Sequence, residues 1–263
     1  MIRNRLLIGF VCCLAFGPFA AVGAETAGPD FALDARVTLD AYRAVVEARL
    51  DGVLAVTRTL AATEEVRSGQ WVRMREPLAV LASNVNEQAA VWFAQPDGSY
   101  FTVDKGATGE TLRERAYFPG LLAGRDVVGA LVVSKSTGQR ALIVASPVVV
   151  DGKMVGAVGV SMDAAQLAAS LDQAIRFPAN VVFYALDGQG QTALHRAGEL
   201  IFVFPSDVGS STLSDAVKTM LSRPEGVVRY RYVGSEKTAL FQRSQLTGWV
   251  FVLGKSHPPD ARP

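Results

Sequence analysis

The stretch Leu112 to Gly120, LRERAYFPG, sets Arg115, Tyr117 and Phe118 almost side by side. A guanidinium grips a carboxylate through two parallel, charge-assisted hydrogen bonds. Tyrosine and phenylalanine add apolar walls, one of them with a polar tip. The trio fits two roles: a clamp on a small anionic molecule, or a cation and two rings closing a surface loop, stopped by Pro119. Upstream, Trp92, Phe93, Tyr100 and Phe101 flank a hairpin, and strand alternation must send some inward and some outward. Periodicity leaves open which of them face a pocket; Trp92 and Tyr100 stand as candidates. Asp163, in SMDAAQL, has the form of a helix N-cap.

Other chemistry is thinly represented. Downstream of the leader there are two histidines, His195 and His257, and metal sites need clustered nitrogen, sulfur or carboxylate ligands. A lone His195 on a strand reads as structural. Ser161 in GVSMD lacks the second glycine of a nucleophile elbow. GWVFVLGKS imitates a phosphate loop, but its glycines bracket five residues rather than four and it lies in a strand. The expectation is a protein that is not an enzyme and carries no cofactor and no metal.

Residues 1–24 read MIRNRLLIGFVCCLAFGPFAAVGA, with Arg3 and Arg5 before an apolar run and small residues at its end. That is the form of a secretory signal peptide, cut after Ala24 so that the mature chain begins at Glu25. No later segment has the roughly 18 uninterrupted apolar residues of a membrane span. Cys12 and Cys13 leave with the leader, so no disulfide is available to the mature chain. A core must hold it instead, and 49% hydrophobic residues can build one. The chain has 26 Lys+Arg against 25 Asp+Glu, and without Arg3 and Arg5 the two signs nearly cancel. No block of like charge occurs, which disfavours nucleic acid and a polybasic membrane contact. The expected location is periplasmic or secreted.

The elements that must position the trio follow in order. Leu50, Val53, Leu54, Thr57, Leu60 and Ala61 recur at helical spacing, a pattern that reaches back to Val37. Asp30 or Asp34 suits its cap and Gly69 its stop. A second helical piece, QWVRMREPLAVLAS, places Trp71, Met74, Leu78 and Leu81 on one face, and Pro77 must kink it or open a new helix. AAVWFAQPDGSYFTV is a strand, an Asp97-Gly98 turn and a strand. A loop-rich insert from Lys105 to about Arg125 precedes further strands that turn at Asp151-Gly152. DAAQLAASLDQAIRF is a helical connector. The same grammar then returns after about ninety residues, with a turn at Asp187-Gly188, a helix in LSDAVKTMLSR, and three strands broken near Gly234 and Gly248. Trp249 in the last strand is expected inside this smaller unit.

The order of AVWFAQPDGSYF, ALIVASPVVVDGKMVGAVGVSMDAAQL and LTGWVFVLGK, behind a long helix and a leader, resembles the double Cache family. These are extracytoplasmic sensor domains with a PAS-like fold, and the resemblance covers about residues 30–255. It implies an α+β fold, a long N-terminal helix followed by two PAS-like modules with antiparallel sheets. The implied division is 1–24 signal peptide, 25–84 helical segment, 85–176 membrane-distal-type module with the ligand pocket, 177–255 smaller second module, and 256–263 tail. Members usually continue into a transmembrane helix and a cytoplasmic output domain. This chain ends in SHPPDARP, so a stand-alone protein is expected, handing its ligand state to a membrane sensor kinase, cyclase, chemoreceptor or transporter. Amino-acid-binding members carry a tyrosine, four residues, an arginine, any residue and two aromatics, then a late aspartate. Carried over, Arg115 and Tyr117 take a ligand carboxylate, Phe118 completes the motif, and Asp163 takes the ammonium group. Glu110 stands where the first tyrosine belongs and repels an amino acid's carboxylate. The expected ligand is a small charged or polar metabolite, with an amino acid or carboxylate one case of it. An accessory scaffold with a vestigial pocket is the alternative.

Overall fold

A computed structural model describes residues 35–85, 88–135 and 137–257. The leader, its cleavage point and the two candidate caps Asp30 and Asp34 lie outside the described residues. Helix α1 (Ala35–Ala61) buries Leu39, Tyr42, Val46, Leu50, Leu54, Thr57 and Ala61. Their three- and four-residue spacing makes one continuous apolar stripe. The helix stops at Ala61, short of Gly69. There Thr63 caps a separate turn, α2 (Glu64–Arg67), its side chain accepting the Val66 amide. Gly69, at φ +67°, closes that turn rather than α1. Helix α3 (Trp71–Asn84) runs as one helix with Pro77 inside it and buries Met74, Leu78 and Leu81. Trp71, only partly covered, stacks on Phe101 at 5.1 Å.

The first sheet contains β1 (Gln88–Ala94), β2 (Ser99–Thr102), β3 (Gly106–Thr111), β4 (Val127–Val133), β5 (Arg140–Val150) and β6 (Lys153–Asp163), ordered β3-β2-β1-β6-β5-β4. The segment read as a loop-rich insert holds a strand, β3, and a short helix, α4 (Phe118–Leu122). Pro119 stands in the first turn of α4, so it starts a helix instead of ending one. Helix α5 (Ala164–Ile175) connects to the second sheet.

That sheet contains β7 (Val181–Leu186), β8 (Thr192–His195), β9 (Glu225–Tyr232), β10 (Ser235–Arg243) and β11 (Val250–Ser256), ordered β8-β7-β11-β10-β9. Between β8 and β9 lie α6 (Pro205–Val208) and α7 (Ser211–Ser222). Every pairing in both sheets is antiparallel. The fold is thus α+β, a long helix and two modules of the same strand order, the first with β3 as an extra edge.

Each sheet has two covered faces. One face of both sheets packs on α1 in a shared core that joins Tyr42 and Val46 to Phe93 and Val158, and to Phe183 and Phe251. Tyr42 meets the rings of Phe183 and Phe251 at 5.0 and 5.1 Å. The opposite faces carry separate cores, one around Trp92, Tyr100 and Phe118, the other around Tyr184, Tyr230 and α7. Trp249 is 1% exposed, but it is not confined to the smaller unit. Its Nε1–H donates to the Gly129 carbonyl of β4 at 3.2 Å, across the modules. The bulge at Gly129, with φ +80°, makes the room.

Candidate functional site

The face of the first sheet turned away from α1 collects most of the residues singled out by type. On β1, Trp92 points to this face and Phe93 to α1, as alternation requires. On β2, Tyr100 joins Trp92, whereas Phe101 goes to Trp71. Phe118 is buried among them, and Tyr117 packs against the same group. Successive turns, Arg115 N–H to Leu112 carbonyl and Phe118 N–H to Arg115 carbonyl, both at 2.9 Å, fold residues 112–118 over the sheet.

Arg115 enters from this turn. One arm, Nη2, donates to the Val133 carbonyl at the end of β4 at 2.7 Å. Its Nε is buried and has no hydrogen-bond partner among the described residues. Burial pushes the Tyr117 hydroxyl well above its ordinary range, the nearby Arg115 cation draws it back, and Tyr100 adds to the rise. Arg115 and Tyr100 therefore both lie close enough to act on the Tyr117 hydroxyl. Arg113 is exposed, as is Glu110 on β3.

Asp163 ends β6 and caps α5, its Oδ1 accepting the amides of Ala165 and Gln166 at 2.8 and 2.9 Å. It shares the strand face of Ala157, Gly159 and Ser161, the face Trp92 covers. The Trp92 ring lies against Gly159, where a side chain would collide with it, and its Nε1–H donates to Ser161 Oγ at 3.2 Å. Trp92 thus spans the middle of the site.

The second module holds a cavity of about 90 Å3 on its corresponding face, and the sequence reading had not anticipated it. Val182, Leu200, Val203 and Leu213 supply apolar walls, with Tyr184, Tyr230, His195 and Lys237 among the polar lining. His195 Nδ1 accepts the Ala197 amide at 2.8 Å, which leaves its ring proton on Nε2. The ring stacks on Tyr184 at 5.8 Å, and burial lowers its pKa to about 4. Lys237 Nζ donates to Ser256 Oγ at 2.7 Å. Burial also lowers the lysine's pKa. These residues are scattered from β7 to β11, without a contiguous motif to mark them.

No protein-family model matches the sequence, and no curated protein does. Solved structures do. An extracellular ligand binding receptor from Desulfohalobium retbaense superimposes with a TM-score of 0.68 at 15% identity, over 85% of this chain and 40% of that one. This chain therefore spans under half the length of that receptor. The ligand-binding domain of the Pseudomonas fluorescens chemoreceptor CtaA, in complex with L-isoleucine, gives 0.63 at 15% identity, covering 84% and 88% of the two chains. The sensor domain of the V. cholerae histidine kinase DctB gives 0.65 at 14%, covering 85% and 96%. The chain shares the fold of these extracellular ligand-binding and sensor domains.

Proposed function

We propose that this protein is an exported small-molecule-binding sensor domain. In this reading the leader is cleaved after Ala24, and residues 85–176 form the ligand-binding module. Arg115 is the anionic anchor for a small charged or polar metabolite, with Tyr117, Tyr100, Trp92 and Phe118 as walls and Asp163 at the far end. The loaded state passes to a membrane kinase, cyclase, chemoreceptor or transporter. The observation that carries the reading is the buried Nε of Arg115, left without a partner beside two tyrosines. A buried donor without an acceptor costs about 1–3 kcal/mol. An incoming carboxylate removes that cost and gains a planar, charge-assisted pair. The neighbour solved with L-isoleucine shows what one domain of this fold binds.

A second reading, a scaffold with a closed pocket, rests on Trp92, whose indole covers Gly159 and bonds Ser161. A thermal-shift panel of the L-amino acids and small dicarboxylates separates the two. A ligand at a hundred times its dissociation constant adds about 2.7 kcal/mol of stability. Calorimetry with the best hit follows. Arg115→Ala should lose about 2–5 kcal/mol of binding energy, as for one partner of a buried charge pair. Arg113→Ala, on the solvent side, should change little. A silent panel, or a hit that binds Arg115→Ala unchanged, removes the anchor.

A further inference from the structure

The two modules share their strand topology. The hairpin ladders align the modules ninety-two residues apart, Ala94 pairing with Tyr100 and Leu186 with Thr192, so Trp92 on β1 corresponds to Tyr184 on β7. Trp92 faces Gly159 across the ladder, whereas Tyr184 faces Val252 and the glycine of the second module, Gly254, stands two places along, opposite Val182. Two residues beyond each glycine comes a serine, Ser161 and Ser256. In the first module the indole of Trp92 bonds that serine. In the second, the ammonium of Lys237 bonds it. Lys237 lies directly opposite Ser256, where the first module has Ile143 opposite Ser161. In the second module the equivalent ring, Tyr184, is hydrogen-bonded to Tyr230, Lys237 takes the serine, and the cavity lies beside them.

We propose that this cavity is a second small-molecule site, and that it takes a short aliphatic carboxylate. The carboxylate meets Lys237, and the hydrocarbon chain lies between Val182, Leu200, Val203 and Leu213. Three observations set the ligand class. Lys237 is the one cation among the lining residues, no acidic residue lines the cavity, and among the described residues its polar partner is a neutral hydroxyl. A half-covered ammonium bonded to a hydroxyl finds no matching charge among the cavity's lining, and a carboxylate supplies it together with a hydrogen bond between two ions. The size favours a short acid such as propionate or butyrate over the larger benzoate. About 90 Å3 is well under the roughly 150 Å3 of an engineered apolar cavity that holds benzene. The proposal does not depend on Arg115.

The test is titration of the full mature chain with butyrate, propionate and benzoate, followed by amide chemical-shift mapping. Butyrate and propionate should give saturable shifts at the residues around Val182, His195 and Lys237, and benzoate should give none there. Lys237→Gln should weaken butyrate at least ten-fold, whereas Arg115→Ala should leave it unchanged. Val182→Trp, which fills the cavity from its own wall, should abolish it. If that variant fails to fold, Lys237→Gln still decides. The site is disproved if neither aliphatic acid binds the wild type, if Lys237→Gln binds as well as wild type, or if the shifts gather at Arg115 and vanish in Arg115→Ala.

Discussion

His195 shows how one side chain ties the stability of the second module to pH. Burial holds the folded-state imidazole near pKa 4, against an ordinary value of 6.5. As pH falls, the unfolded chain takes up its proton first. Stability from this group is therefore complete above about pH 6.5, declines between about 6.5 and 4, and is flat below. The shift corresponds to a loss of the order of 1–3 kcal/mol. Urea denaturation of wild type and His195→Gln, run from pH 7 to pH 4, should show the stability difference between them shrinking by that amount. A difference that stays constant over the range shows that the imidazole titrates alike in both states. The same scale explains Asp163: its Oδ1 is engaged by two amides of α5, so any ligand must share a carboxylate already used as a cap.

Among the elements, the junction of β4 with the turn before β11 is constrained twice over. Gly129 combines φ +80° with a neighbour that leaves no room: an added Cβ would stand 2.7 Å from Trp249 Cζ2. Trp249→Ala should cost roughly 3–5 kcal/mol, in the range of large core truncations. Gly129→Ala should cost roughly 1–3 kcal/mol through overpacking, with backbone strain added. The two effects are coupled. Once Trp249 is truncated the collision is gone, so Gly129→Ala should cost markedly less in the double variant than alone. Additive losses, measured by equilibrium denaturation, show instead that the ring does not depend on the bulge.

At the scale of the whole described molecule, α1 is the common wall of both modules. Tyr42 alone touches Phe177, Phe183 and Phe251 of the second module, while Leu50 and Leu54, further along, share the core with strands of the first. Neither sheet completes the core on its α1-facing side without this helix. Unfolding should accordingly be one cooperative step, with tryptophan fluorescence and far-ultraviolet circular dichroism giving coincident urea midpoints. A fragment of residues 177–257 should stay unfolded. Two separated transitions, or a folded fragment, show that the modules are independent. Among the described residues no helix is long and apolar enough to cross a membrane.

What the sequence determined by itself was local. Helical spacing in α1, the Asp-Gly turns of both hairpins and the repeat after about ninety residues follow from the preferences of neighbouring residues, and the structure agrees with them. Alternation also required the hairpin aromatics to divide between two faces. What it left to tertiary structure were choices set by residues far away in the chain. Alternation says that Trp92 and Phe93 oppose each other, but only the position of α1 decides which is inside. Trp249 was legible as buried, yet its hydrogen-bond partner is 120 residues away. Gly69 has the conformation of a stop, but Thr63 had already ended the pattern by capping a new turn. The cavity of the second module was the least legible. Its lining is scattered from β7 to β10, and a space between side chains leaves no pattern in a sequence until the strands are folded together.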